Sequence, residues 1–263
     1  DLITSTPDAD DFYFPNGNFR ERAFELISYV TDNRAEGDSS KYLVPADQLA
    51  DSETQGLGKL EVLGEVFTNL PPIPKMYVLR PKLEEELERV LMDKGRYPIV
   101  TLTGRGGIGK TSMALSVLHQ ITKKTAFDMI LWFSARDIDL LMEGPKQVKA
   151  AVLTEDDMAS EFSKLLEPVG YKDRNFNSKE YLSTQMTKSN YGSILFVFDN
   201  FETVKNPVEL FNWIDTFIRF PNKVLITSRM SRNFKADYPI EVSGMTEKEC
   251  LDLINLTSLQ LGI

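Results

Sequence analysis

Short apolar runs alternating with helical patterns specify an α/β protein in which a parallel sheet lies between two layers of helices. Three observations carry that expectation. The first is the alternation itself, which occupies most of the second half of the 263 residues. The second is a glycine-rich run set between the first apolar strand and the helix that follows it. The third is an apolar run that closes on a carboxylate, Ile194-Leu195-Phe196-Val197-Phe198-Asp199.

Taken in order, Pro98–Thr103 is the first buried strand and Ser112–Leu118 its following helix. Met129–Ser134, Ile194–Phe198, Val224–Thr227 and Ile240–Val242 are four further strands, each rich in β-branched or aromatic residues. Helical spacings of apolar residues separate them over Asp156–Leu166, Lys179–Met186, Pro207–Arg219 and Glu247–Leu261. The stretch from Arg136 to Val152 contains Glu143-Gly144-Pro145-Lys146 and reads as a long loop. Ahead of the first strand, Met76-Tyr77-Val78-Leu79-Arg80-Pro81 leads into a helical run ending near Asp93, with proline at the helix start. The Pro-rich stretch Asn69–Lys75 reads as a linker, which places a domain boundary near residue 70. Residues 1–70 then form an acidic segment, helical over Asn18–Asp32 and otherwise irregular, and residues 71–263 the α/β domain.

Composition narrows the function classes. Hydrophobic residues make up 42% of the chain, enough for a core, yet no run approaches the 18 apolar residues of a membrane span. Asp1–Asp8 has neither the basic region nor the apolar stretch of a signal peptide. A lone cysteine, Cys250, excludes an internal disulfide, fits a cytoplasmic setting and is expected to be a buried small hydrophobe. The start at Asp1 reads as a boundary within a longer protein. Of the net charge of −9, most falls in residues 1–75, which carry 14 acidic and 6 basic side chains. That balance argues against nucleic acid as the main ligand.

The motifs point to phosphate chemistry. Gly104-Arg105-Gly106-Gly107-Ile108-Gly109-Lys110-Thr111 fits G-x-x-x-x-G-K-[ST] in the strand-to-helix context that gives the pattern meaning. Glycines let successive backbone N–H groups turn toward a phosphate, and the helix N-terminus adds partial positive charge. Lys110 is placed to reach the outer phosphates, and the Thr111 hydroxyl to hold Mg²⁺. Asp199, at the end of a buried strand, is the second Mg²⁺ ligand. The residue after it is Asn200, whose amide cannot accept a proton at neutral pH, so hydrolysis is expected to be slow unless Glu202 substitutes. Arg229 closes the strand Val224-Leu225-Ile226-Thr227-Ser228 and is the candidate γ-phosphate sensor. Arg136 occupies a similar but weaker position, and His119 is expected to be structural.

The ordered set Val78-Leu79-Arg80, Gly104 to Ser112, Phe196 to Asn200, Leu225 to Arg229 and Glu241 to Thr246 resembles the STAND class of signalling ATPases, and within it the NB-ARC branch. The resemblance implies a three-layer P-loop NTPase of the ASCE type with a parallel five-stranded sheet in the order 5-1-4-3-2. It implies ATP or ADP with Mg²⁺ as cofactors, held by Val78 and Arg80 at the adenine and by Gly104, Gly106, Gly107, Ile108, Gly109, Lys110, Thr111 and Ser112 at the phosphates. Asp199, Glu202 and Arg229 would serve catalysis and sensing. It further implies a switch that self-associates, within a larger signalling or antiviral defence protein, and the chain stops at Ile263, before the helical and winged-helix regions of that family. Leu79 stands where a small residue is common, and Asn200 where a second acid is frequent. Two other functions share parts of the pattern. One is a remodelling AAA-type motor; the other is a small-molecule kinase, whose sheet lacks the extra strand assigned here to Met129–Ser134.

Overall fold

The computed structural model describes residues 59–74, 77–135, 138–141, 144–147, 154–229 and 238–261. The expected helix Asn18–Asp32 and the side chain of Arg136 lie outside them. Strands β1 (Glu61–Leu63) and β2 (Val66–Thr68) precede α1 (Pro81–Met92), β3 (Ile99–Thr103), α2 (Lys110–Ile121) and β4 (Met129–Ser134). There follow β5 (Ile138–Leu141), β6 (Gly144–Gln147), α3 (Glu155–Leu166), α4 (Ser178–Thr187), β7 (Ile194–Asp199) and a 3-10 turn at Phe201–Thr203. Helix α5 (Pro207–Phe217), β8 (Lys223–Ser228), β9 (Tyr238–Glu241) and α6 (Glu247–Leu261) complete the order.

The main sheet has seven strands rather than five, in the order β1-β2-β4-β7-β8-β3-β9. All neighbours are parallel except β1, which runs antiparallel to β2 at the edge. The five expected strands lie side by side within that order, and the count differs because β2 adds to β4. Strands of three residues are too short to show a period in sequence, and these two are recruited by the unpaired edge that β4 would otherwise present. They precede residue 70, so the sheet begins ahead of the boundary that the proline-rich stretch suggested. A second correction concerns residues 138–147, expected as loop. They form an antiparallel ribbon pairing Ile138 with Gln147 and Leu141 with Gly144. A two-stranded ribbon leaves an open edge on each strand, where Pro145 needs no ladder bond.

Alternation along the strands builds two cores. Leu131, Phe133, Phe196, Phe198 and Ile226 face one side, against Met158 and Phe162 of α3, Leu182 of α4 and Leu210 of α5. Leu102, Ile130, Trp132, Val197 and Leu225 face the other, against Leu87 of α1 and Met113 and Leu118 of α2. The strands are buried on both faces, which is why they read as unbroken apolar runs. Side-chain caps set the starts of α3 and α4, among others: Thr154 accepts the Asp157 N–H and Asn177 the Glu180 N–H. Cys250 departs from expectation. It is exposed on α6, where Leu251 and Ile254 are also 60% and 59% exposed, because the described part of this helix packs little of its surface against the sheet layers.

At the strand starts, Lys223 of β8 is buried and its Nζ donates to Val90 O (2.8 Å) and Arg96 O (3.0 Å), closing the end of α1. Desolvation pulls its ammonium from 10.5 to about 8, and the Asp93 carboxylate offsets only part of that. The unfolded chain keeps the ordinary value and so binds more protons between these two pH values, which makes stability rise with pH across that window. Relative to Lys223→Met, the wild type should therefore gain roughly 2 kcal/mol between about pH 7 and about pH 9.5, read from urea denaturation at each pH. At the opposite end, Gly104 has φ 152°, and a Cβ there would lie 2.6 Å from Val242 O. Both objections are to backbone atoms that cannot rotate away. Gly104→Ala should cost about 2 kcal/mol, measured as a lowered denaturation midpoint.

Candidate functional site

Strand β3 ends at Thr103, and the six residues Gly104–Gly109 carry the chain into α2 at Lys110. Gly109 precedes the first turn with φ 94°, and there is open space within 4 Å of where its Cβ would stand. The same holds at Gly107. No side chain caps this helix, so its first N–H groups border a concave, uncrowded loop of the kind that receives an anion. Ile108, near the end of the loop, and Ser112, in the first turn of α2, are half-buried. Lys110 is buried, and its Nζ donates to the loop's own carbonyls at Gly104 (2.8 Å) and Arg105 (3.0 Å). Desolvation lowers its pKa; Glu202 opposes that, Arg229 adds to it, and Asp199 opposes it again. These four charges therefore share one site.

Asp199 ends β7 and is buried. Three donors converge on its carboxylate: Thr111 Oγ1 from α2 and Thr227 Oγ1 from β8, each 2.7 Å from Oδ1, and Asn200 Nδ2 at 3.2 Å from Oδ2. The Asn200 N–H in turn donates to Thr227 Oγ1 at 3.0 Å. Asn200 adopts φ 56°, a left-handed conformation that asparagine tolerates better than most residues and that turns the chain sharply off the strand. Among the described residues no group of three or more His, Cys, Asp or Glu forms a metal cluster. The pair that fits a metal is Thr111 with Asp199, a hydroxyl and a carboxylate in contact beside the loop, which are hard oxygen donors suited to Mg²⁺.

Glu202 lies on the 3-10 turn after Asn200. Its Oε2 accepts the Arg229 N–H at 3.1 Å, and its Oε1 lies 3.0 Å from Arg229 Nε. The Arg229 guanidinium rests against the loop, with Cζ 3.1 Å from where a Gly106 Cβ would stand. Arg229 thus lies against the glycine loop, and Glu202, the acid expected to stand in as a base, is paired with it.

Arg80 and Val78, in the strap ahead of α1, are both buried, whereas Leu79 is 59% exposed. Arg80 Nη2 donates to Ser243 O (2.9 Å) and Gly244 O (3.2 Å), just beyond β9. The neighbouring Val242 donates its N–H to Thr103 O and presses its carbonyl on Gly104, so the strap reaches the loop through one short segment. Arg80 Nε is 3.7 Å from Glu249 Oε2, and Arg80 Nη1 is buried without a hydrogen-bond partner. His119 Nε2 contacts Pro71 O at 2.8 Å, far along α2 from the loop, a structural contact.

Sequence reading missed Thr227 and the partners of Arg80. Thr227 had a signal, a hydroxyl in the polar end of β8 two residues from Arg229. The Ser243 and Gly244 carbonyls had none, because any residue supplies a carbonyl.

The NB-ARC domain family matches residues 80–261. The chain is 26% identical over 179 residues to an Arabidopsis thaliana protein named "Putative disease resistance protein At4g19050", over 65% of this chain and 14% of that protein's length. The chain thus spans only a small part of that relative. Among solved structures it is similar to PCH-2 of C. elegans (13% identity, TM-score 0.40, 72% of this chain and 51% of that one). It is also similar to domain III of the Thermotoga maritima replication initiation protein DnaA (11% identity, TM-score 0.44, 73% and 77%). At such TM-scores neither likeness bears on function. The family match spans most of the chain and includes the glycine loop, Asp199, Arg229 and the segment around Gly244, and the chain belongs to the NB-ARC domain family.

Proposed function

We propose that this chain binds ATP and ADP with Mg²⁺ and acts as a switch and self-association module of a larger signalling or antiviral defence protein, hydrolysing ATP slowly. The observation that carries the reading is the convergence of Thr111, Asp199 and Arg229 on one open glycine loop. The loop amides and Lys110 bind the phosphates, an anion offering Lys110 better acceptors than the loop carbonyls it now holds. Thr111 and Asp199 would hold Mg²⁺, which neutralises phosphate charge. The buried, unpartnered Nη1 of Arg80 supports a place for an acceptor-bearing base beside Val78.

Slow turnover follows from the acids. Asn200 spends its amide on Asp199 and cannot take a proton from water, and Glu202 is engaged by Arg229. A switch needs a state-dependent contact rather than speed, and Arg229 supplies one if it meets the γ-phosphate. Of the competing functions, the kinase reading called for the loop strand β3 and the Asp199 strand β7 to be adjacent. Strand β8 pairs with both and separates them. The intervening strand is thus Lys223–Ser228, and Met129–Ser134 pairs on the outer side of β7.

Calorimetry with ATP, ADP and GTP in Mg²⁺, alongside phosphate release, tests the reading. Expected are adenine-selective binding, a loss of about 10- to 100-fold in Lys110→Ala, and turnover well below about 1 s⁻¹. Rapid turnover would favour a motor, and absence of binding by the wild type would overturn the nucleotide assignment.

A further inference from the structure

Glu202 has no role in holding phosphate or metal on the reading above, yet among the described residues its charge, like that of Asp199, bears on Lys110. Its placement is specific. The side chain is 11% exposed, fixed on a one-turn 3-10 helix whose own start is set by the left-handed Asn200, and it grips Arg229 at two points, backbone N–H and guanidinium. The two grips differ in kind. Oε2 makes a true hydrogen bond to the backbone at 3.1 Å, while Oε1, buried and 3.0 Å from Nε, has no hydrogen bond of its own. The backbone contact fixes the end of β8; the side-chain contact is Coulombic and replaceable, since the Arg229 side chain is 63% exposed.

We infer that Glu202 is a specificity-determining residue that sets the preference between nucleoside diphosphate and triphosphate, by holding the Arg229 guanidinium until a γ-phosphate draws it away. This rests on the nucleotide reading. The guanidinium lies against Gly106, next in the loop to Gly107, whose surroundings are open. A terminal phosphate there offers oxygens that accept charge-assisted hydrogen bonds from the planar fork of the guanidinium, bonds that Glu202 Oε1 does not make. A diphosphate has no such group, and the pair with Glu202 persists. Triphosphate binding alone therefore bears the cost of breaking the pair, and a ligand shifts a two-state element only by its differential interaction with the two states. Glu202 lowers the preference for triphosphate and keeps the two nucleotides close enough in affinity for exchange to switch the protein.

The test is a double-mutant cycle of Glu202→Gln and Arg229→Ala, with Kd for Mg·ADP and Mg·ATP measured calorimetrically on each protein. The glutamine keeps an oxygen to accept the Arg229 N–H, and circular dichroism checks that every variant folds. Removing the charge should tighten both nucleotides, because the Glu202 carboxylate also acts electrostatically on Lys110, so the informative quantity is the ratio Kd(ADP)/Kd(ATP). An ion pair with one exposed partner is weak, and the ratio should rise about threefold to tenfold in Glu202→Gln. The same change made in Arg229→Ala should leave the ratio where that variant has it. Equal tightening of both nucleotides, or an equal rise of the ratio without Arg229, overturns the proposal. So does an unchanged ratio with phosphate release reduced a hundredfold, which would make Glu202 the base instead. Failure of the wild type to bind either nucleotide is a separate result and overturns the nucleotide reading itself.

Discussion

The buried carboxylate of Asp199 holds the functional end of the sheet together. It belongs to β7, yet its donors come from the first turn of α2, from β8 and from the residue that follows it. An ionised carboxylate taken out of water is costly unless hydrogen bonds replace its hydration, and here three do. Because those donors sit on different elements, the same bonds that satisfy the charge also lock the helix after the phosphate loop to the two strands beside it. The contact between Thr111 and Asp199 is thereby preset by the fold.

The loop is pressed from two further directions. Val242 lies against Gly104 with its carbonyl where a side chain would start, and Arg229 lies against Gly106. A side chain at position 104 would collide with the Val242 carbonyl, and one at 106 would crowd the Arg229 guanidinium, so the glycines serve close approach as well as turning. From Val242 the chain passes to Ser243 and Gly244, which accept from Arg80, and then to Thr246 and Glu249, which cap α6 reciprocally. Arg80 therefore ties the start of α1 to the start of α6 at the border of the loop. The far end of the sheet is knitted by other polar groups. Asn222 accepts the Ile194 N–H and donates to the carbonyls of Gln185 and Met186, and Lys223 closes α1. Those contacts face away from the loop and carry stability alone.

What distinguishes this site is the distribution of its acids. An acid next to Asp199 would stand ready to take a proton from water; Asn200 instead donates to Asp199 and bends the chain off the strand. The remaining carboxylate, Glu202, arrives two residues later on a tight turn, and the turn points it at the end of β8.

The amino-acid sequence by itself determined the five central strands, the helices between them, the glycine loop and the place of Asp199 at a strand end. These are local patterns: period, strand length, and residue types whose spacing along a few turns already fixes their relative position. The β1–β2 extension escaped notice because three-residue strands have no period and form only where an edge awaits them. The 138–147 ribbon escaped notice because a proline and a glycine obscured it. Cys250 was misplaced because burial depends on what covers a helix, and the described face of α6 is largely uncovered. Only the tertiary structure decided that Thr227 shares Asp199, that Arg80 meets Ser243, and that Glu202 meets Arg229. Each of these joins residues far apart in the chain at the ends of neighbouring strands. The order of strands in a sheet is set by the packing of the whole, which no local window of sequence contains.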